Sequence, residues 1–245
     1  MVGAGPPVML IHGVGADGSS WDAIAPAMAG RLTVLRLDLR GHGRSGHIDG
    51  ALTLDDFARD VVNVLDATNT PRAHIVGFSL GGMIAQALAL DHASRVDRLV
   101  LLSAVAGRTE QERAQVRDRL EILRTHGIAA ITGAAQDRWF TDAFIAQHPE
   151  LVQRRMEQLK ANHPESYAAA YTVFSTSDLG ERLQDINCPT LVATGEHDVG
   201  SNTRMARFMQ EQIRGAKLQI LPGLKHSVLT EAPETIASTL LDFLG

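Results

Sequence analysis

The chain has 245 residues, 44% hydrophobic and 21% charged, which is enough apolar content for one large core. Its formal charge of -5 lacks the basic footprint of a nucleic-acid binder, and its one cysteine excludes an internal disulfide or a multi-cysteine metal site. The apolar stretches 83–90 and 99–106 fall short of the roughly 20 residues of a membrane span. The start, Met-Val-Gly-Ala-Gly-Pro-Pro, has no basic or apolar leader region, so a cytoplasmic protein with neither nucleic-acid nor membrane partners is expected.

Short β-branched and leucine-rich runs alternate with helical patterns. Residues 8–11 read as a buried strand, and 19–29 as a helix with Ser19 or Ser20 at its N-cap. Residues 33–37 form the next predicted strand. Residues 53–67 carry Leu54, Phe57, Val61, Val64 and Leu65 at helical spacing. A strand (74–78), a helix (82–91) and a strand (99–102) follow. Strands alternating with helices argue for an α/β fold, a mostly parallel sheet wound on both faces.

The alternation stops near Gly107. Residues 109–177 give only helical signals: a helix over 110–125 with Gly127 placed to end it, then Pro149 and Pro164 where first turns should begin. Strand 190–193, helix 202–213, strand 217–221 and helix 233–243 resume the pattern. The chain therefore divides into a core, residues 1–107 and 181–245, and an all-helical insertion, residues 108–180. The insertion either packs extra helices on the core or caps a site as a lid.

Gly77-Phe78-Ser79-Leu80-Gly81 lies between a strand and a helix. This is G-x-S-x-G in the setting that gives it meaning: a sharp turn lifts Ser79 to the carboxyl edge of the sheet. The competing reading is a glycine-rich turn whose serine merely caps the helix. A serine hydroxyl is a weak nucleophile and needs a base, itself oriented by a carboxylate. Asp198 follows the strand 190–193 and His226 follows 217–221, so both belong at that same edge. Of ten histidines, only His12 competes on these grounds with His226, and Glu196 competes with Asp198. The backbone N–H of Leu80 and that of Val14, in His12-Gly13-Val14-Gly15, are the expected oxyanion donors.

Leu10-Ile11-His12-Gly13, Asp38-Leu39-Arg40-Gly41-His42-Gly43-Arg44-Ser45, the Ser79 turn and the Asp198 and His226 loops, in that order, resemble the α/β-hydrolase superfamily. Arg138-Trp139-Phe140-Thr141, His148-Pro149-Glu150 and Tyr167-Ala168-Ala169 are most similar to the insertion of 3-oxoadipate enol-lactonases. The resemblance implies an α/β-hydrolase fold with a helical cap. It implies a cofactor-free, metal-free serine hydrolase cleaving an ester or lactone through an acyl-enzyme, with Ser79, His226 and Asp198 as its triad. C–C bond hydrolysis and general carboxylesterase activity are alternatives on the same triad. The family usually has two further strands before the one ending near His12. Their absence would leave a sheet edge to protect, so a monomer or an edge-paired homodimer is expected.

Two readings from other classes compete. Gly13-Val14-Gly15-Ala16-Asp17-Gly18 with Asp38 also matches a dinucleotide fingerprint, implying an NAD-dependent oxidoreductase. The fold could also serve as a non-catalytic receptor for a small ligand. For the substrate pocket, Phe78 beside the nucleophile and Arg138, Trp139 and Phe140 in the insertion are the candidates, with Phe144, Tyr167, Tyr171 and Phe174 as further wall rings. Arg138 is the cation that would meet a substrate carboxylate.

Overall fold

The computed structural model describes residues 1–48 and 50–245. Six strands, β1 (Pro7–Ile11), β2 (Thr33–Arg36), β3 (Ala73–Phe78), β4 (Val96–Leu102), β5 (Thr190–Gly195) and β6 (Lys217–Leu221), form one parallel sheet in the order β2-β1-β3-β4-β5-β6. The helices of the first half are α1 (Ala25–Met28), α2 (Leu54–Ala67) and α3 (Leu80–Asp91). Between β4 and β5 lie α4 (Glu110–Trp139), α5 (Asp142–Gln147), α6 (Pro149–Lys160) and α7 (Pro164–Thr176). Then come α8 (Thr203–Gln212), α9 (Val228–Glu231) and α10 (Pro233–Leu244). No helix among the described residues is long and apolar enough to cross a membrane.

Side chains alternate along each strand, and both sets are apolar. Met9, Ile11, Ile75, Leu99 and Leu101 pack with Phe57 and Val61 of α2, Ile84 and Leu88 of α3, and Met209 of α8. Val8, Leu10, Val76, Val100 and Leu102 pack with Met28 of α1 and Ile236, Leu240 and Phe243 of α10. A parallel sheet covered on both faces has this composition. Because every strand runs the same way, β1, β3, β5 and β6 all present their carboxyl ends at one edge. The residues just beyond them gather there.

The predicted helix over 19–29 is instead two short pieces. A 3-10 turn covers Gly18–Trp21, capped by Asp17 rather than by a serine, and α1 begins at Ala25. Pro26 explains the break, because it has no N–H for a helical bond back to Asp22. Gly127, at φ 77° and ψ 178°, lies outside helical space and ends the first helical run of α4, as expected, and a second run continues to Trp139. The edge beyond β2 is partly occupied, since Val2 pairs antiparallel with Val34.

The helices between β4 and β5 have a small core of their own, Phe140, Val152 and Met156. Their two stems are joined by one carboxylate: Asp178 accepts from the amides of Gly107 (2.8 Å), Arg108 (2.9 Å) and Gly180 (3.0 Å).

Candidate active site

Ser79 sits at φ 56° and ψ −115°, in backbone space that a non-glycine residue rarely adopts. Its N–H donates to Leu102 O of β4 (3.0 Å), and its own carbonyl accepts from Gly82 N (2.9 Å). The flanking glycines are required by space. A Cβ on Gly77 would lie 2.1 Å from Gly81 O, and one on Gly81 would lie 2.3 Å from Ile11 O. The Ser79 side chain makes no capping bond to α3, which removes the reading of a helix-capping serine. The hydroxyl is left at the wall of a cavity of about 600 Å³.

His226 Nδ1 donates to Asp198 Oδ2 at 2.6 Å, which leaves Nε2 with the ring's lone pair. Asp198 Oδ1 accepts from the Gly200 and Ser201 amides, both at 2.9 Å. Burial alone pushes the Asp198 carboxyl up. His226 and the two amides outweigh it and hold the group below its ordinary value. Asp198, His226 and Ser79 line the same cavity. Among the described residues no hydrogen bond joins Ser79 to His226, so the expected row is closed at its imidazole–carboxylate half. The Phe78 ring lies 5.0 Å from the imidazole and that of Trp139 6.4 Å, covering it with apolar surface.

His12 cannot act as a base. Its Nδ1 donates to Gly13 O (2.8 Å) and its Nε2 accepts from Leu39 N (2.9 Å), so both ring nitrogens are spent on backbone. Burial, with the neighbouring His42, pushes its pKa down to about 3. Glu196, the competing acid, instead accepts from the Gly223 amide (2.9 Å). The Leu80 N–H stands in the first turn of α3, where the helix offers it no acceptor. Val14 lines the cavity beside Ser79, and its N–H has no backbone or side-chain acceptor among the described residues.

The dinucleotide reading does not fit. No long helix follows Gly18, only a 3-10 turn. Asp38 is occupied by the amides of Gly18 (2.8 Å) and Arg44 (3.0 Å). The ground above Gly15 is filled: a Cβ there would meet Tyr167 at 2.6 Å and Leu159 at 2.8 Å.

Arg138, Trp139 and Phe78 line the cavity, as do Tyr167, Tyr171 and Phe174. Phe140 does not. It is fully buried in the insertion against Val152 and Met156, stacked on Phe144, which likewise packs there. Arg138 makes no ion pair among the described residues. Burial, and then Arg119 nearby, hold its guanidinium below the ordinary value. Arg119 itself donates to the Tyr171 hydroxyl (3.2 Å).

Sequence reasoning missed Arg155. Its guanidinium lies over the Trp139 ring, 4.7 Å from the centroid, and lines the cavity. The signal was present: Arg155 is three residues from buried Val152 and four from buried Leu159, which places a cation on the inward face of α6.

A family model described as "Alpha/beta hydrolase family" matches residues 8–239. 3-Oxoadipate enol-lactonase 1 of Acinetobacter baylyi is 27% identical, covering 98% of this chain and 88% of that protein. A putative carbamate hydrolase RutD of Variovorax paradoxus is 34% identical, covering 98% and 92%. The crystal structure of the enol-lactonase from Burkholderia xenovorans LB400 superposes with a TM-score of 0.92 at 30% identity, covering 99% of this chain and 92% of that one. With the sheet, the serine turn and the histidine–aspartate pair in these places, the chain belongs to the alpha/beta hydrolase family.

Proposed function

We propose that this protein is a serine hydrolase that cleaves an ester or lactone of a small molecule through an acyl-enzyme. The observation that carries this reading is the 2.6 Å His226–Asp198 pair opening into the same cavity as the strained Ser79 turn. In the reaction, Ser79 Oγ bonds to the substrate carbonyl carbon while its proton passes to His226 Nε2. That transfer needs the hydroxyl within hydrogen-bond reach of the imidazole, a contact that tightens when substrate fills the site. Asp198 holds the tautomer and stabilises the imidazolium. The Val14 and Leu80 amides bind the oxyanion, each contributing on the order of 3 kcal/mol to the transition state. His226 then gives its proton to the leaving alkoxide. Water, activated by the same imidazole, releases the acid.

The substrate class is a carboxylated lactone of the enol-lactone type, with residues 108–180 as the cap that selects it. What supports this is Arg138, a cation at the cavity wall with no acidic partner among the described residues, together with the enol-lactonases among the relatives. A carbamate is the second reading, favoured by the 34% identical relative, because the same serine can attack its carbonyl.

The test is a hydrolysis screen of p-nitrophenyl esters, lactones, the enol-lactone and carbamates, run on wild type and on Ser79→Ala. Ser79→Ala should lose about 10⁴-fold or more in kcat. A variant within ten-fold of wild type removes the assignment. Arg138→Met should raise KM about ten-fold for the acid lactone and leave a neutral ester unchanged. Equal effects on both remove the carboxylate role.

A further inference from the structure

The loop that carries Val14 is held from two sides. From the core, His12 Nδ1 donates to Gly13 O (2.8 Å). From the insertion, Arg155 Nη1 of α6 donates to Gly15 O (2.9 Å), and Asn162 Nδ2 reaches the same carbonyl (3.2 Å). Gly15, at φ 68°, adopts the left-handed region open to glycine, and as the residue with the most backbone freedom to lose it is fixed by these bonds.

The bond from Arg155 continues. Gly15 O and Ala16 N–H belong to one trans peptide, so they point in opposite directions. Ala16 N–H donates to Gly13 O (3.3 Å). Gly13 O shares its peptide with Val14 N–H, which therefore points the other way, away from the clamp. A line of hydrogen bonds thus runs from the Arg155 guanidinium through two peptide groups to the Val14 amide. A cation at its head polarises each peptide in the sense that makes the last N–H a stronger donor. Arg155 suits that place. It makes no ion pair among the described residues, and Asp17, an acidic group near it, is spent on the Ser19 amide and on Gln158. Asp17 favours the Arg155 charge from nearby without forming an ion pair with it.

Resting on the serine-hydrolase reading, we propose that Arg155 is a positioning residue of the oxyanion site, acting on the Val14 N–H through the Gly15 and Gly13 peptides. The insertion is then part of the catalytic apparatus, and a movement that lifted α6 from the core would dismantle the oxyanion donor.

The experiment uses p-nitrophenyl acetate, a small neutral ester that has no carboxylate for Arg155 to bind. Arg155→Met should lower kcat roughly ten- to a hundred-fold, less than the full loss of an oxyanion donor, with KM within two-fold. Binding of a phenylboronic acid, which forms a tetrahedral adduct with the serine, should weaken by a similar factor. Arg155→Lys, which keeps the charge and one donor, should recover most of the loss. Arg155→Gln, with a donor and no charge, should fall between, and it serves if the Met variant does not fold by circular dichroism. An unchanged kcat in the folded Met or Gln variant overturns the inference, and so does an effect confined to KM for anionic substrates. Absence of Ser79-dependent turnover in wild type would sink the hydrolase reading instead, whereas Ser79-dependent turnover indifferent to Arg155 sinks this inference alone.

Discussion

His12 and His226 both follow strands at the carboxyl edge of the sheet, and their hydrogen bonds separate them. His226 gives Nδ1 to Asp198 and leaves Nε2 without a partner among the described residues, whereas His12 gives both nitrogens to backbone. The consequence for stability can be worked out. In the unfolded chain His12 takes up a proton near pH 6.5, whereas in the folded chain it stays neutral down to about 3. Between those values the unfolded state binds more protons, so stability falls as pH falls, by up to about 1.4 kcal/mol per pH unit. His42 and His74, also lowered by burial, add in the same direction. Urea midpoints should therefore drop between pH 7 and pH 5, and His12→Asn should drop less steeply than wild type. Equal slopes would contradict a buried neutral imidazole. Position after a strand made it legible that Ser79, Asp198, His226 and Val14 would gather at one edge of the sheet. Ring type did not do the same for Phe140, because consecutive residues at the end of a helix diverge. Arg138 and Trp139 turn to the cavity, and Phe140 turns into the insertion's own core.

At the scale of elements, the strands could be read as short continuous apolar runs, because both faces are buried as in β4, and the amphipathic helices by a period near 3.6, as in α2. One departure came from a single residue with a backbone demand: Pro26 breaks the helix expected over 19–29. Gly127 closes the first helical run of α4, as its place in the sequence implied, and a second run continues to Trp139. The serine turn is the element under the tightest constraint. Gly77→Ala would drive a Cβ to 2.1 Å from Gly81 O, a clash of backbone that no side-chain rotation relieves. Its cost belongs with the largest single-residue losses, above about 4 kcal/mol. Thermal melts by circular dichroism should show a collapsed or absent transition, and melting within a few degrees of wild type would contradict the packing described for the turn.

Across the whole molecule, the insertion is tied to the core at the loops that carry the site. Ser227 N, beside His226, donates to Trp139 O (2.9 Å), and Lys225 Nζ reaches Asp137 O (2.9 Å). Glu231 accepts from the Thr141 amide (2.9 Å) and hydroxyl (2.8 Å). Arg155 and Gln158 hold the Val14 loop. None of these pairings was legible in the sequence, because their partners are far apart along the chain and no local spacing links them. Folding alone brings them together, and it places the insertion's wall of the cavity and the Ser79 wall in one frame. The account rests on Ser79 being the nucleophile that His226 activates. Mass spectrometry after treatment with a fluorophosphonate tests that most directly. The account predicts one adduct, on the peptide carrying Ser79, absent in Ser79→Ala and formed far more slowly in His226→Ala. No adduct on the folded wild type, or one on another residue at equal rate in all three proteins, would contradict it.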